Sequence, residues 1–397
     1  MKKIIETSDK LVKNTSTDFI RYLAGTINWK NRLIAIKGAR GTGKTTLMLQ
    51  HIKQNFTPGK EVVYISLDDL YFSTNNLTGF TDEFVKDGGK FLFIDEVHKY
   101  SNWSQEIKNI YDQYPGLHIV FTGSSLLEIY KGFGDLSRRA VSYDLHGLSF
   151  REFVDMEMNI NLPVLTLKEI ITDHRVIAGD ISGRIIPIAE LKKYMTYGYY
   201  PYFKDGIEEY DQKLLNIINL IIESDLPAIC SIEFSSILKL KKLLWFLANS
   251  VPYSPNIQKL SDQIETTRPT ALQYIDYLRR SALLNLLRPA GQGYSYLSKP
   301  EKIFLHNTNL MYAIAPGTIN IGNLRETFFF NQLNTTCSVS SAKKGDFTVN
   351  EEYVFEIGGK NKDFSQIRNV ENSFLVIDIL ETGMNNRIPL WIFGLMY

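Results

Sequence analysis

The residues with the clearest chemistry in this sequence are Gly38, Ala39, Arg40, Gly41, Thr42, Gly43, Lys44, Thr45 and Thr46, which satisfy the spacing G-x-x-x-x-G-K-[ST] in full. Glycines at 38, 41 and 43 let the backbone curl until its N–H groups point inward at phosphate oxygens. Lys44 reaches the outer phosphates, and the helix opening after it adds its positive end. The Thr45 hydroxyl is placed to hold a magnesium ion. Further along, the apolar run Phe91-Leu92-Phe93-Ile94 ends in Asp95-Glu96. An acid at such a strand end completes a magnesium shell, the role for Asp95; a neighbouring Glu orients and deprotonates an attacking water, the role for Glu96. Alone, an apolar run ending in two acids is usually a strand meeting solvent. Paired with the phosphate loop, it points to hydrolysis of the terminal phosphate of ATP with magnesium.

These residues need strands and helices to position them. Leu33, Ile34, Ala35 and Ile36 form an unbroken apolar run, as a parallel strand buried on both faces requires. Thr45 to Gln54 carry Leu47, Leu49 and Ile52 among good helix formers. Glu61 to Asp69 read as a second strand, and a helix capped by Ser101 or Asn102 runs to about Tyr114, where Pro115-Gly116 stops it. His118 to Phe121 form another strand, ending in Thr122-Gly123-Ser124-Ser125. A hydroxyl there, Thr122 or Ser124, can bond the terminal phosphate or the water; a helix N-cap at Ser124 or Ser125 is an equal alternative. A further helix leads through a glycine break to Ser137-Arg138-Arg139 and a last strand, Ala140 to Leu145. Before the loop, Phe19, Ile20, Tyr22, Leu23 and Ile27 form one amphipathic segment, expected to be a helix beside the site.

Gly38 to Thr46, Ile94-Asp95-Glu96 followed by Trp103, Phe121-Thr122-Gly123-Ser124-Ser125, and Arg139 with Leu148-Ser149-Phe150-Arg151-Glu152-Phe153 resemble prokaryotic AAA-family P-loop ATPases. Members of that group carry a C-terminal region of unknown function, with a winged helix and a restriction-endonuclease-like domain. The resemblance is specific in the first 155 residues and looser beyond. It implies an arginine finger at Arg138 or Arg139, against which stands an ordinary surface arginine. The expected architecture is α/β: a P-loop NTPase core with a parallel sheet over 1–155, a helical linker or lid with an insertion over 156–234, a winged helix-turn-helix over 235–297, and an α/β nuclease-like domain over 298–397.

Within that frame, Gly179 and Gly183 suggest a flexible excursion between 156 and 190. Thr266-Thr267-Arg268-Pro269 carries a helix-start signal. The helix from Thr270 to Arg280 then buries Leu272, Ile275 and Leu278 and turns Gln273, Tyr274, Tyr277 and Arg280 outward. With Arg268 and Arg279, that face over 268–280 could meet double-stranded DNA as a recognition helix, or serve only as a protein contact. Leu284 to Leu287 and Tyr294 to Leu297 would pair as the wing. In the last hundred residues Asp346 and Glu356 form a candidate second metal site of the nuclease type. A working site resembles Asp followed by Glu-x-Lys on the next strand, where i and i+2 share a face. Here i+2 is Gly358 and the nearest lysine of right parity is Lys360, so we expect no efficient cleavage.

Lysine plus arginine, 44, nearly balances aspartate plus glutamate, 43, so no global field demands nucleic acid or membrane. Cys230 and Cys337 form no metal or redox motif, and no apolar run reaches the roughly 18 residues of a membrane span. The expected setting is cytoplasmic and the expected ligands are ATP and Mg2+. A homo-oligomer would follow from a finger acting in trans. Three functions stay open: a DNA-associated ATPase switch, a signalling scaffold whose C-terminal half binds protein, and an ATP-gated nuclease.

Overall fold

Strands read as unbroken apolar runs must be covered on both faces, and the first half of the chain shows how. The computed structural model describes residues 1–57, 59–123, 134, 136, 138–230, 232–250, 255–291 and 299–397. They form two compact units, Met1–Gly147 and Leu148–Tyr397. The first contains α1 (Lys2–Asn14), α2 (Leu23–Thr26), β1 (Leu33–Lys37), α3 (Lys44–Asn55), β2 (Val62–Ser66), α4 (Leu77–Lys86), β3 (Phe91–Asp95), α5 (Trp103–Gln113), β4 (His118–Gly123) and β5 (Val141–Asp144). Its sheet has the order β2-β3-β4-β1-β5, and every pair is parallel.

Side chains alternate across a strand with a period of two, so each strand feeds two cores. Leu33, Ala35, Ile65, Ile94 and Phe121 face one side with Phe80, Phe84, Trp103 and Ile107 of α4 and α5. Ile34, Ile36, Tyr64, Phe93 and Val120 face the other with Val12, Leu47, Met48 and Ile52 of α1 and α3. Parallel register then brings the C-terminal strand ends together: Lys37 lies opposite Gly123 on one side and Asp144 on the other, and Ser66 lies opposite Asp95.

The N-terminal segment differs from the sequence expectation. The long helix is α1, whose inward positions Ser8 and Val12 are masked in the sequence by the charges around them. The segment from Phe19 to Ile27 makes only the single turn α2, with Gly25 inside it.

The second unit begins with α6 (Phe150–Met158) and α7 (Leu167–Ser182), each opened by a full capping box, Ser149 with Glu152 and Thr166 with Glu169. The excursion expected over 156–190 is therefore largely helix. Leu167, Ile170, His174, Ala178 and Ile181 make a buried stripe. That stripe and the cap outweigh one internal glycine, Gly179, which costs about 1 kcal/mol. There follow α8 (Pro187–Lys193), α9 (Tyr210–Leu220), α10 (Leu226–Cys230), α11 (Phe234–Ala248), α12 (Ile257–Gln263), α13 (Arg268–Arg280), β6 (Leu284–Leu287), β7 (Lys302–Leu305), α14 (Thr308–Ile314) and α15 (Ile321–Leu333). The strands β8 (Val339–Ser341), β9 (Phe347–Val349), β10 (Tyr353–Gly358), β11 (Ser373–Ile377) and β12 (Arg387–Pro389) form a mixed sheet in the order β12-β11-β10-β9-β8.

Asn309 is the polar hub of this unit. Its Oδ1 accepts from Tyr199 N at 2.8 Å and Tyr210 OH at 2.5 Å, while Nδ2 donates to Tyr194 O at 3.0 Å and Met195 O at 2.8 Å. A buried amide with every group paired costs little and fixes the surrounding backbone.

One expectation about residues 268–297 is corrected, and half of the expected wing lies outside the described residues. The partner of β6 is β7, antiparallel, with Leu284 opposite Leu305; the expected strand from Tyr294 to Leu297 lies outside the described residues. On α13, Tyr274 belongs to the core at 6% exposure rather than to an outward face.

Candidate functional site

The phosphate loop runs from the end of β1 into α3. A Cβ at Gly38 would overlap the Leu145 carbonyl, so only glycine lets the loop pass this close to the chain beyond β5. Gly43, at φ 91°, is the N-cap of α3 and supplies no side-chain cap, which leaves the first-turn N–H groups of a twelve-residue helix open to an anion. Lys44 is buried, and its Nζ donates to Gly38 O at 2.8 Å and Ala39 O at 2.7 Å. The ammonium thus lies inside the loop, held by carbonyls that phosphate oxygens can replace.

Asp95, 2% exposed at the tip of β3, is the meeting point of three hydroxyls. Thr45 Oγ1 donates to Oδ2 at 2.5 Å, Tyr64 OH donates to Oδ2 at 2.9 Å, and Thr122 Oγ1 donates to Oδ1. Burial first, then the Asp95 charge and its hydrogen bond, drive the Tyr64 phenol well above its ordinary value, so it remains a donor. Thr45 and Asp95 are hard oxygen donors side by side, which fits magnesium, an ion that takes one or two protein oxygens and completes its shell with water and phosphate. Among the described residues no group of three or more His, Cys, Asp or Glu side chains could hold a metal by itself.

Glu96 follows with φ 54°, in the left-handed region, and its side chain is 23% exposed. Its Oε2 lies 3.4 Å from His98 Nε2, and the same nitrogen lies 3.4 Å from Nη2 of Arg40 in the loop. Of the two sensor candidates, Thr122 is turned onto Asp95, and Ser124 lies outside the described residues. The finger candidates separate. Arg139 makes a two-pronged pair with Asp112 of α5, Nε to Oδ1 at 3.0 Å and Nη2 to Oδ2 at 2.9 Å, whereas Arg138 is exposed.

Sequence reasoning missed Arg21. Its guanidinium donates to Thr42 O in the loop, and Nη2 donates to His146 O at 2.8 Å and Gly147 O at 2.9 Å, stapling the N-terminal segment, the loop and the exit of β5. An arginine with five donors in a fixed fork suits that task, but no spacing rule announces it.

The second candidate site, in the C-terminal unit, is filled by its own lysines. Lys302 Nζ lies 3.0 Å from Glu326 Oε2 and 3.4 Å from Asp346 Oδ1, and Asp346 Oδ2 accepts from Ile357 N at 2.9 Å. Glu356, 1% exposed, pairs with Lys362. That lysine is not Lys360, the residue of expected parity, which is exposed. The stem of Lys362 crosses the space a Cβ at Gly358 would fill, so the glycine makes room for it. Burial, the largest influence, pushes the Glu326 and Glu356 carboxyls above their ordinary range. On α13, Arg279 and Arg280 both pair with the buried Asp276, at 2.7 and 2.8 Å, while Arg268 and Gln273 are exposed, and Gln273 Nε2 donates to Tyr277 OH at 2.6 Å.

Comparison with known proteins bears on both units. Residues 30–154 match the family model described as an AAA domain, and residues 188–321 match a domain of unknown function, DUF8612. The chain is 27% identical over 292 residues to an uncharacterized protein, MJ1637, of Methanocaldococcus jannaschii; the match covers 70% of this chain and 61% of that protein. Among solved structures, C. elegans PCH-2 aligns over 50% of this chain and 57% of its own at 18% identity and a TM-score of 0.30. AMPPCP-bound DnaA from Aquifex aeolicus aligns over 70% of this chain and 88% of its own at 16% identity and a TM-score of 0.25. The AAA match, with the loop and the five-stranded parallel sheet, supports an ATP-binding P-loop AAA domain in the N-terminal part of the chain. No helix among the described residues is long and apolar enough to cross a membrane.

Proposed function

We propose that the N-terminal unit binds ATP with Mg2+ and hydrolyses its terminal phosphate. The observation that carries this reading is the convergence of Lys44 and Thr45 from the loop with Asp95 and Glu96 from β3 at one end of a parallel sheet. Backbone N–H groups from Gly38 to Thr46 cradle the phosphates, and Lys44 exchanges two loop carbonyls for phosphate oxygens. Thr45 and Asp95 hold the magnesium, whose chemistry when bound is to neutralise charge on those oxygens. Glu96 takes the proton of the attacking water. Ser124 reports on the terminal phosphate, and Arg138 acts as a finger toward a second copy of the chain, since Arg139 is committed to Asp112. Phosphate release and binding of a fluorescent ATP analogue, each with and without Mg2+, test the reading. Magnesium-dependent turnover is expected, and the absence of nucleotide binding would refute it.

For the C-terminal unit the supported reading is a winged helix, from α11–α13 with the β6–β7 pair, and a restriction-endonuclease-like fold around the mixed sheet. Duplex DNA would meet residues 268–280 through Arg268 and Gln273. A protein partner is the second reading, favoured by the commitment of Arg279 and Arg280 to Asp276. A mobility-shift series across salt separates them. DNA binding would give a log–log slope of about −0.9 per phosphate neutralised, whereas no shift favours protein.

A further inference from the structure

His98 occupies an unusual place between the phosphate loop and the proposed base. It follows β3 in a short turn, Val97–Lys99, and its side chain is 3% exposed. One nitrogen, Nε2, lies 3.4 Å from Glu96 Oε2 and 3.4 Å from Arg40 Nη2. An arginine N–H only donates and a carboxylate only accepts. A single ring nitrogen cannot accept from one and donate to the other at the same time. The two bonds are therefore alternatives, and both are long for hydrogen bonds, as expected of a group shared between partners. One alternative ties His98 to the loop; the other ties it to Glu96.

We propose that His98 is a positioning residue that couples Arg40 of the phosphate loop to Glu96. When phosphate draws the Arg40 guanidinium away, His98 turns its Nε2–H onto Glu96 Oε2 and orients the carboxylate toward the water whose proton it takes. When Arg40 returns, it occupies the Nε2 lone pair and the carboxylate loses its orienting bond. The coupling rests on the ATPase reading above.

The test uses the full chain and three substitutions at one position. His98→Ala should lower kcat about tenfold, the size of one hydrogen bond to a charged group, with KM for ATP and analogue affinity within twofold. His98→Gln, whose amide can donate or accept, should recover most of that loss, and His98→Phe, which refills the space without a polar atom, should not. Arg40→Ala should cost more in the His98→Ala background than in the wild type, because with His98 present the loss of Arg40 also frees Nε2 for Glu96, an offset the double variant lacks. Equal recovery by Phe and Gln would mean that His98 only packs, and the proposal would fail. Glu96→Gln is measured alongside. If it turns over like the wild type, the base reading itself falls. If Glu96→Gln is inactive while His98→Ala keeps wild-type kcat, the coupling alone falls.

Discussion

Thr45 Oγ1 donates to Asp95 Oδ2 at 2.5 Å, joining two residues fifty positions apart in the chain. The sheet order puts β4 between β1 and β3, so the loop leaving β1 must cross the tip of β4 to meet β3. Thr122, on that intervening tip, bonds the same carboxylate. The proposed metal position thus draws on the first turn of α3 and the tips of β3 and β4, which is the kind of preorganisation phosphoryl transfer requires.

Lys44→Ala should abolish tight nucleotide binding. Glu96→Gln should keep analogue affinity while slowing phosphate release roughly 100-fold or more, the loss expected of a general base. Equal turnover in Glu96→Gln and the wild type would remove the base assignment.

Arg138 and Arg139 should behave differently. Arg139→Ala breaks a partly exposed pair and should leave the denaturant midpoint nearly unchanged. Arg138→Ala should depress turnover at least tenfold without changing affinity for the analogue, since fingers carry large factors. Specific activity should rise with protein concentration, and mixing Arg138→Ala with Lys44→Ala should restore part of it. Concentration-independent turnover would place no finger in trans.

The C-terminal sheet should not cleave DNA efficiently, because the lysine beside Glu356 is Lys362, delivered from beyond β10, and not one held on the strand at i+2. Incubation with linear and supercoiled DNA in Mg2+ or Mn2+, with and without ATP, tests this; cleavage abolished by Glu356→Ala would overturn it. Lys362→Met should destabilise the unit by about 2–4 kcal/mol, somewhat below a fully buried pair because the lysine is 31% exposed. Lys360→Met should change stability by no more than about 0.5 kcal/mol.

His51 stacks on Trp29 with ring centroids 3.5 Å apart, and burial pushes its imidazole down from 6.5 to about 4. The unfolded chain takes up a proton there below about pH 6.5, and the folded chain only near 4. The stabilising contribution is therefore complete above 6.5 and lost as pH falls through that interval. Melting temperatures between pH 7 and pH 4 should fall less steeply in His51→Phe than in the wild type. Parallel curves would show that His51 plays no part.

The loop from Gly38 to Thr46, the apolar strands and the Asp95-Glu96 tip were legible because their chemistry is local: a glycine, an alternation or a strand end states its own requirement. The neighbours of those residues were not. Tyr64 and Arg21 reach the site from separate segments, and their roles depend on sheet order and register; His98 lies two residues past Glu96, but its contact with Arg40 of the loop is likewise not written in spacing along one strand. The same limit explains Lys362. Parity along an ideal strand pointed to Lys360, but β10 ends at Gly358, and past that point the chain turns and delivers a lysine by a route that no period of two describes. Tyr274 and the arginines of α13 repeat the lesson. A helical pattern tells which residues share a face, whereas only the packed unit decides that Tyr274 is covered and that Asp276 holds Arg279 and Arg280. Composition and periodicity determine what each segment can be; the free energy of burial and pairing, which sums over distant segments, decides what each side chain meets.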